Sequence, residues 1–137
     1  MKAYEHQAQY YETDQMGIIH HSNYIRWFES ARIWYMNQIG VDYRDMEESG
    51  IISPVLSVQC TYKSMVHFGD VVEIIPKVEK YNGIKLELSY QVLDKQSGEL
   101  RTAGTSSHCF LNKDGRPLSL KKVSPVFDAA FRAALEQ

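Results

Sequence analysis

Residues 22–40 read SNYIRWFESARIWYMNQIG, and this stretch decides how the rest of the chain is arranged. Tyr24, Trp27, Phe28, Ala31, Trp34, Tyr35 and Ile39 recur at the three- and four-residue spacing of one helix face. Ile25, Ile33 and Met36 widen that face, which predicts a helix over 23–39 buried on most of its sides. Ser22 or Asn23 stands where a cap is needed at its start, and Gly40 suits its end.

Downstream of that helix the apolar period changes to two. Leu56, Val58, Cys60 and Tyr62 alternate with Ser57, Gln59, Thr61 and Lys63, the pattern of a strand with one apolar face. Val72, Ile74 and Val78 share a face in the next run, where Pro76 removes a ladder donor and predicts an edge or a bulge. Asn82-Gly83 predicts a type I′ hairpin. Beyond it, Ile84, Leu86, Leu88, Tyr90 and Val92 alternate with polar residues up to a turn at Ser97-Gly98. A last strand runs from about Leu100 to Leu111 and stops at Asn112-Lys113-Asp114-Gly115. Ser124-Pro125 opens a short C-terminal helix with Phe127, Phe131 and Leu135 on one stripe.

Upstream, residues 3–11 alternate loosely as a weak strand, and 12–22 read as a loop with Asp14 and Gly17 as turn residues. Short turns make neighbouring strands antiparallel, and a meander with one apolar face needs a cover. The expectation is a single α+β domain over 1–137. An antiparallel sheet of about five strands would wrap one long central helix, followed by a short C-terminal helix.

Composition limits the function. The chain has 137 residues, 44% hydrophobic and 23% charged, with a net charge of −2. No broad basic field would draw it to nucleic acid or an anionic membrane, so an anionic ligand must meet a local cluster. No apolar run approaches the roughly 20 residues of a membrane helix, and the first residues carry no apolar leader, so a cytoplasmic location is expected. Cys60 and Cys109 sit in apolar runs and read as buried reduced thiols; a disulfide is not required.

The densest set of reactive types is Tyr10-Tyr11-Glu12-Thr13-Asp14-Gln15-Met16-Gly17, followed by His20-His21-Ser22-Asn23-Tyr24. It leads into a helix N-terminus, which offers free N–H groups and the positive end of the helix dipole. A carbonyl oxygen placed there would be polarised as in an oxyanion hole. Asp14 could activate water as a general base or attack as a carboxylate nucleophile; an Asp ahead of a Gly is also commonly a turn residue. Adjacent His20 and His21 lack a third ligand at metal spacing, and no metal is expected. No GxSxG, GxGxxG or Walker pattern occurs.

Tyr10 to Arg32, YYETDQMGIIHHSNYIRWFESAR, resembles the signature of the 4-hydroxybenzoyl-CoA thioesterase-like family, which includes the acyl-CoA thioesterases associated with Tol–Pal gene clusters. Tyr62 to Asp70 resembles a weaker second motif. The resemblance implies a hot-dog fold and hydrolysis of acyl-CoA thioesters without cofactor or metal. It also implies assembly into dimers or tetramers with sites at the subunit interface. By position, Asp14 matches the family's catalytic carboxylate, and His21 matches the residue whose backbone N–H polarises the thioester carbonyl. Tyr10, Gly17, Asn23 and Tyr62 fall at positions implied to line or shape the substrate site. His20 departs from the aromatic residue common there; should it face the thioester, the role of His21 shifts by one. Lys63, Arg101, Lys113, Arg116, Lys121 and Lys122 are the local cations available to CoA phosphates. The alternative reading is a non-catalytic binder of acyl-CoA or acyl carrier protein on the same fold.

Overall fold

The structure, a computed structural model, describes residues 3–137. Helix α1 spans Ser22–Gln38. Its start corrects the expected cap. His21 already has helical angles (φ −55°, ψ −29°), so Ser22 and Asn23 lie inside the first turn. The His20 ring takes the capping position, with Nδ1 accepting the Ser22 N–H at 3.2 Å and lying 2.8 Å from Ser22 Oγ. The other end matches the sequence reading: Gly40 turns the chain at φ 94°, and the Val41 N–H reaches back to the Met36 carbonyl at 2.8 Å.

The strands are β1 (Tyr4–Gln7), β2 (Val55–Tyr62), β3 (Val71–Tyr81), β4 (Lys85–Asp94) and β5 (Leu100–Cys109). They form one antiparallel sheet in the order β1-β3-β4-β5-β2. β1 and β2 therefore sit at opposite edges, and the chain between them carries α1 across the sheet. The Phe28 ring of α1 stacks on Tyr90 of β4, with centroids 4.4 Å apart and planes 6° apart. A Cβ on Gly104 of β5 would overlap that same Phe28 ring, so the helix can lie this close only because residue 104 has no side chain. This is the hot-dog arrangement of α+β class.

Three local features refine the reading. The pairing of β1 with β3 ends at Tyr4 opposite Ile74 among the described residues, which makes Pro76 locally an edge position; the bulge comes later, between Val78 and Lys80. The β3–β4 hairpin is present, but not as type I′, because only Gly83 has positive φ. Asn82 shapes the turn with its side chain instead, Oδ1 accepting the N–H groups of Ile84 and Lys85 at 3.0 and 2.8 Å. A helix the periodicity missed, α2 (Tyr43–Glu48), is capped by Asp42 Oδ1 and anchored by the fully buried Met46.

The chain closes with α3 (Leu120–Val123) and α4 (Pro125–Leu135). Ser124 caps α4 as expected, and Phe131 buries against Tyr81 and Phe110. Cys60 and Cys109 are both free thiols. No described helix is long and apolar enough to cross a membrane.

Candidate active site

The loop between β1 and α1 is built by short-range hydrogen bonds. A 3₁₀ turn at Tyr10–Glu12 is followed by a bridge between Thr13 and Ile19, and Ile18 bridges to His67. Between them the chain reverses: the Asp14 N–H binds the Ile18 carbonyl at 2.9 Å and the Gly17 N–H binds the Asp14 carbonyl at 3.1 Å. Gly17 takes φ 77°, which an L side chain rarely adopts. The Asp14 side chain supports this turn with one oxygen, Oδ1 accepting the Met16 N–H at 2.8 Å. Its Oδ2 has no hydrogen bond among the described residues, so half of the carboxylate remains available.

Backbone donors at the start of α1 are nearly all taken. The His20 N–H goes to the Glu12 carbonyl, the Ser22 N–H to the His20 ring, the Asn23 N–H to the His20 carbonyl and the Tyr24 N–H to the His21 carbonyl. The His21 N–H has no partner among the described residues. It lies at the positive end of α1, where an added negative charge is stabilised. The His21 ring is exposed and stacks on His20 at 4.2 Å.

Asp14 and His21 line one cavity of about 310 Å³, together with Tyr24, Tyr62, Met16 and Met65. Tyr62 reaches across from β2, its hydroxyl donating to the His21 carbonyl at 3.3 Å and its ring lying edge-on to Tyr24 at 5.2 Å. Burial pushes the pKa of both phenols up, so each stays protonated and able to donate. Open carboxylate, free N–H and apolar wall can together take a polarised carbonyl with an attached apolar group.

Other residues singled out in the sequence stand apart from this cavity. Tyr10 is 76% exposed and packs edge-on to Phe68 at 5.7 Å. Gly17 shapes the turn. Asn23 is buried, and its Nδ2 donates to the Glu12 carbonyl at 2.8 Å. Of the six basic candidates, Lys63 borders the cavity, whereas Arg101 is held by Asp94 and Glu99. The periodicity assigned Tyr24 to the core and gave no role to Met65. Tyr24 is a core residue, as its spacing predicts, and lines the cavity as well; Met65 escapes the sequence reading because a cavity joins residues from α1 and the segment after β2 that no local pattern relates.

A carboxylate with one open oxygen and an unclaimed N–H at a helix head have the chemistry that hydrolysis at a carbonyl carbon calls for. The chain belongs to the Thioesterase-like superfamily, whose family model matches residues 9–135. A Bacillus subtilis protein named as a candidate acyl-CoA thioesterase, YneP, is 36% identical over 131 residues, covering 95% of this chain and 94% of that protein. A Staphylococcus aureus DHNA-CoA thioesterase superposes with a TM-score of 0.92 at 35% identity, covering 96% of this chain and 89% of that one. A second Staphylococcus aureus structure, solved in complex with CoA, is alike in fold alone, with a TM-score of 0.89 at 16% identity over 98% of this chain and 83% of its own.

Proposed function

We propose that this chain hydrolyses acyl-CoA thioesters to the free acid and CoA. The observation that carries the reading is the shared cavity of Asp14, with its free Oδ2, and the unclaimed His21 N–H. The acyl carbonyl oxygen lies on the His21 N–H and the helix dipole. Asp14 Oδ2 takes a proton from a water molecule, whose oxygen attacks the carbonyl carbon. The tetrahedral oxyanion is held at the helix head, and its collapse breaks the C–S bond and releases CoA thiolate, which takes up the proton from Asp14 and restores the carboxylate. Direct attack by Asp14 would instead break the C–S bond, expel CoA thiolate and form a mixed anhydride that water then cleaves. A carboxylate is a weak base, so positioning supplies most of the effect on either route.

The narrower kinship, with the Tol–Pal-associated type, rests on the Tyr10–Arg32 stretch. The substrate is an intracellular thioester, which makes the cytoplasm the location that fits it. A second copy of the chain completes the proposed enzyme as a dimer or a tetramer. The support is β2, an edge strand whose apolar Leu56 and Tyr62 are 52% and 48% exposed; such an edge invites pairing. Acyl carrier protein shares the phosphopantetheine arm of CoA and is the other candidate carrier of the acyl group.

Thiol release from short, long and aromatic acyl-CoAs, by wild type and Asp14→Ala side by side, tests the reading. The reporter must ignore protein thiols, because Cys60 and Cys109 are free. Turnover that depends on Asp14 supports hydrolysis, and its chain-length profile describes the acyl pocket. A folded, oligomeric protein with no turnover would move the reading to an acyl-carrier-protein substrate or a non-catalytic binder.

A further inference from the structure

Glu12 is a buried carboxylate that the proposed reaction does not use directly. It is 5% exposed, and donors from three parts of the chain converge on it: His6 Nε2 of β1 at 2.9 Å, the Gln9 N–H at 2.8 Å and Trp27 Nε1 of α1 at 2.7 Å. Burial alone would raise its pKa, but the hydrogen bonds from His6, Trp27 and Gln9 outweigh burial and hold it below the ordinary Glu range. The backbone carbonyl of the same residue is doubly occupied, accepting the His20 N–H and the Asn23 Nδ2 donor at 2.8 Å each. From Glu12 the chain runs through Thr13 to Asp14, and His20 is joined directly to His21. Both halves of the candidate site are therefore tied to one residue.

We propose that Glu12, assisted by Asn23, is the positioning residue that fixes the Asp14 carboxylate relative to the His21 N–H. This rests on the reading of those two groups given above. The carboxylate pins the residue to β1 and α1, while its carbonyl grips the chain on both sides of the helix start. The strand, the 3₁₀ turn and the first turn of α1 then move as one body. Asn23, at a position the family resemblance implies for substrate, works from behind the site through Glu12. A glutamine at position 12 offers one acceptor oxygen and an NH₂ to three converging donors, so at least one donor loses its bond. The loop would then shift relative to α1 without losing its fold.

Kinetics of Glu12→Gln, Asn23→Ala, Asp14→Ala and the Glu12→Gln/Asp14→Ala double variant test this, each with a thermal melt. Glu12→Gln is expected to lower kcat by about 10- to 100-fold with KM within about threefold of wild type, because a displaced general base costs rate more than binding. In the Asp14→Ala background it should remove less than about twofold more, since two residues acting through one group are not additive. Should Glu12→Gln fail to fold, Asn23→Ala carries the test: it removes one donor from the Glu12 carbonyl and should show the same loss confined to kcat. A kcat per folded molecule within about twofold of wild type, or a loss that multiplies fully with that of Asp14→Ala, would overturn the proposal. Full turnover by Asp14→Ala alone would overturn the site reading and this proposal with it. Loss in Asp14→Ala beside full kcat in Glu12→Gln would overturn only the positioning role.

Discussion

Two polar clusters sit on α1, and they are built on opposite plans. At the helix start, Asp14 keeps a free oxygen, the His21 N–H is unclaimed among the described residues, and the two residues line one cavity. Further along the helix, Arg32 is 5% exposed and donates from Nη1 to Nδ1 of His108 at 2.6 Å. His108 Nε2 lies 2.7 Å from Ser106 Oγ, which lies 2.7 Å from the Tyr90 hydroxyl. This second cluster is sealed in the core, and its members bond mainly to one another, although Arg32 Nε is left without a partner. Its cation has no carboxylate partner among the described residues. Burial first, and the Arg32 charge second, push the pKa of His108 down to about 4, which leaves the ring neutral and free to accept from Arg32. A shifted pKa can mark a catalytic site; in this chain the shifted histidine belongs to the scaffold. What distinguishes the open cluster is spare hydrogen-bonding capacity facing a cavity.

The contrast is broken most directly by substituting one residue on each side. Asp14→Asn keeps the oxygen that accepts the Met16 N–H and removes the charge, so the turn survives. It should lower kcat/KM by about 10²- to 10⁴-fold, the range for losing a general base, with an unchanged melting temperature. Ser106→Ala should do the reverse, leaving kcat intact while weakening stability by about 1 kcal/mol. Rates and melts on the two variants decide it; activity retained in Asp14→Asn would erase the distinction between the clusters.

Acid is the next largest lever, and it acts on the sealed cluster. The unfolded His108 binds a proton below its ordinary pKa of 6.5, whereas the folded one does so only near 4. In that window the unfolded chain holds the extra proton, so stability falls as pH falls from 6.5 toward 4, and this group adds no slope above 6.5. The full effect is on the order of 3 kcal/mol. Glu12, Asp94 and Asp128, whose folded pKa values are lowered, lose their contributions at more acidic pH. Urea midpoints at pH 7.5, 6 and 5 should fall in wild type and fall less in His108→Gln. Equal slopes in the two would mean that His108 is not held neutral by the core.

How much of this the sequence carries depends on where each residue's partners lie. The long helix follows from its own spacing, and Asp14, Gly17 and His21 stand out because turn and helix head are local features. β2 and β4 show the limit. Both alternate apolar and polar residues, yet Leu86 and Leu88 of β4 are buried, whereas Leu56 and Tyr62 of β2 are about half exposed. Alternation gives the face of a strand but not its neighbours, and β2 falls at the sheet edge only through the strand order. The cap of α1 was misread for a similar reason: Ser22 and Asn23 are good capping types, but the His20 ring and the Glu12 carbonyl reach the helix head first. Glu12 stands inside the reactive stretch but gets no role from the sequence, because His6 and Trp27 come to it from elements on either side of the loop.

The smallest expected effect sharpens the comparison at Tyr62, where the exposed edge strand meets the open cluster. Its hydroxyl donates to the His21 carbonyl at 3.3 Å, a long bond at a half-exposed residue. That carbonyl also accepts the Tyr24 N–H at 3.4 Å, so two weak bonds steady the peptide next to the unclaimed donor. Tyr62→Phe keeps the ring against Tyr24 and removes one of the two, at a cost of about 1 kcal/mol or less. The expected outcome is a drop in kcat of about fivefold or less, with a melting temperature lowered by no more than about 4 °C. A rate equal to wild type would mean that the backbone of the helix head holds His21 unaided. A much larger loss would mean that the hydroxyl itself reaches the substrate, which would make β2 part of the chemistry rather than only a wall of its cavity.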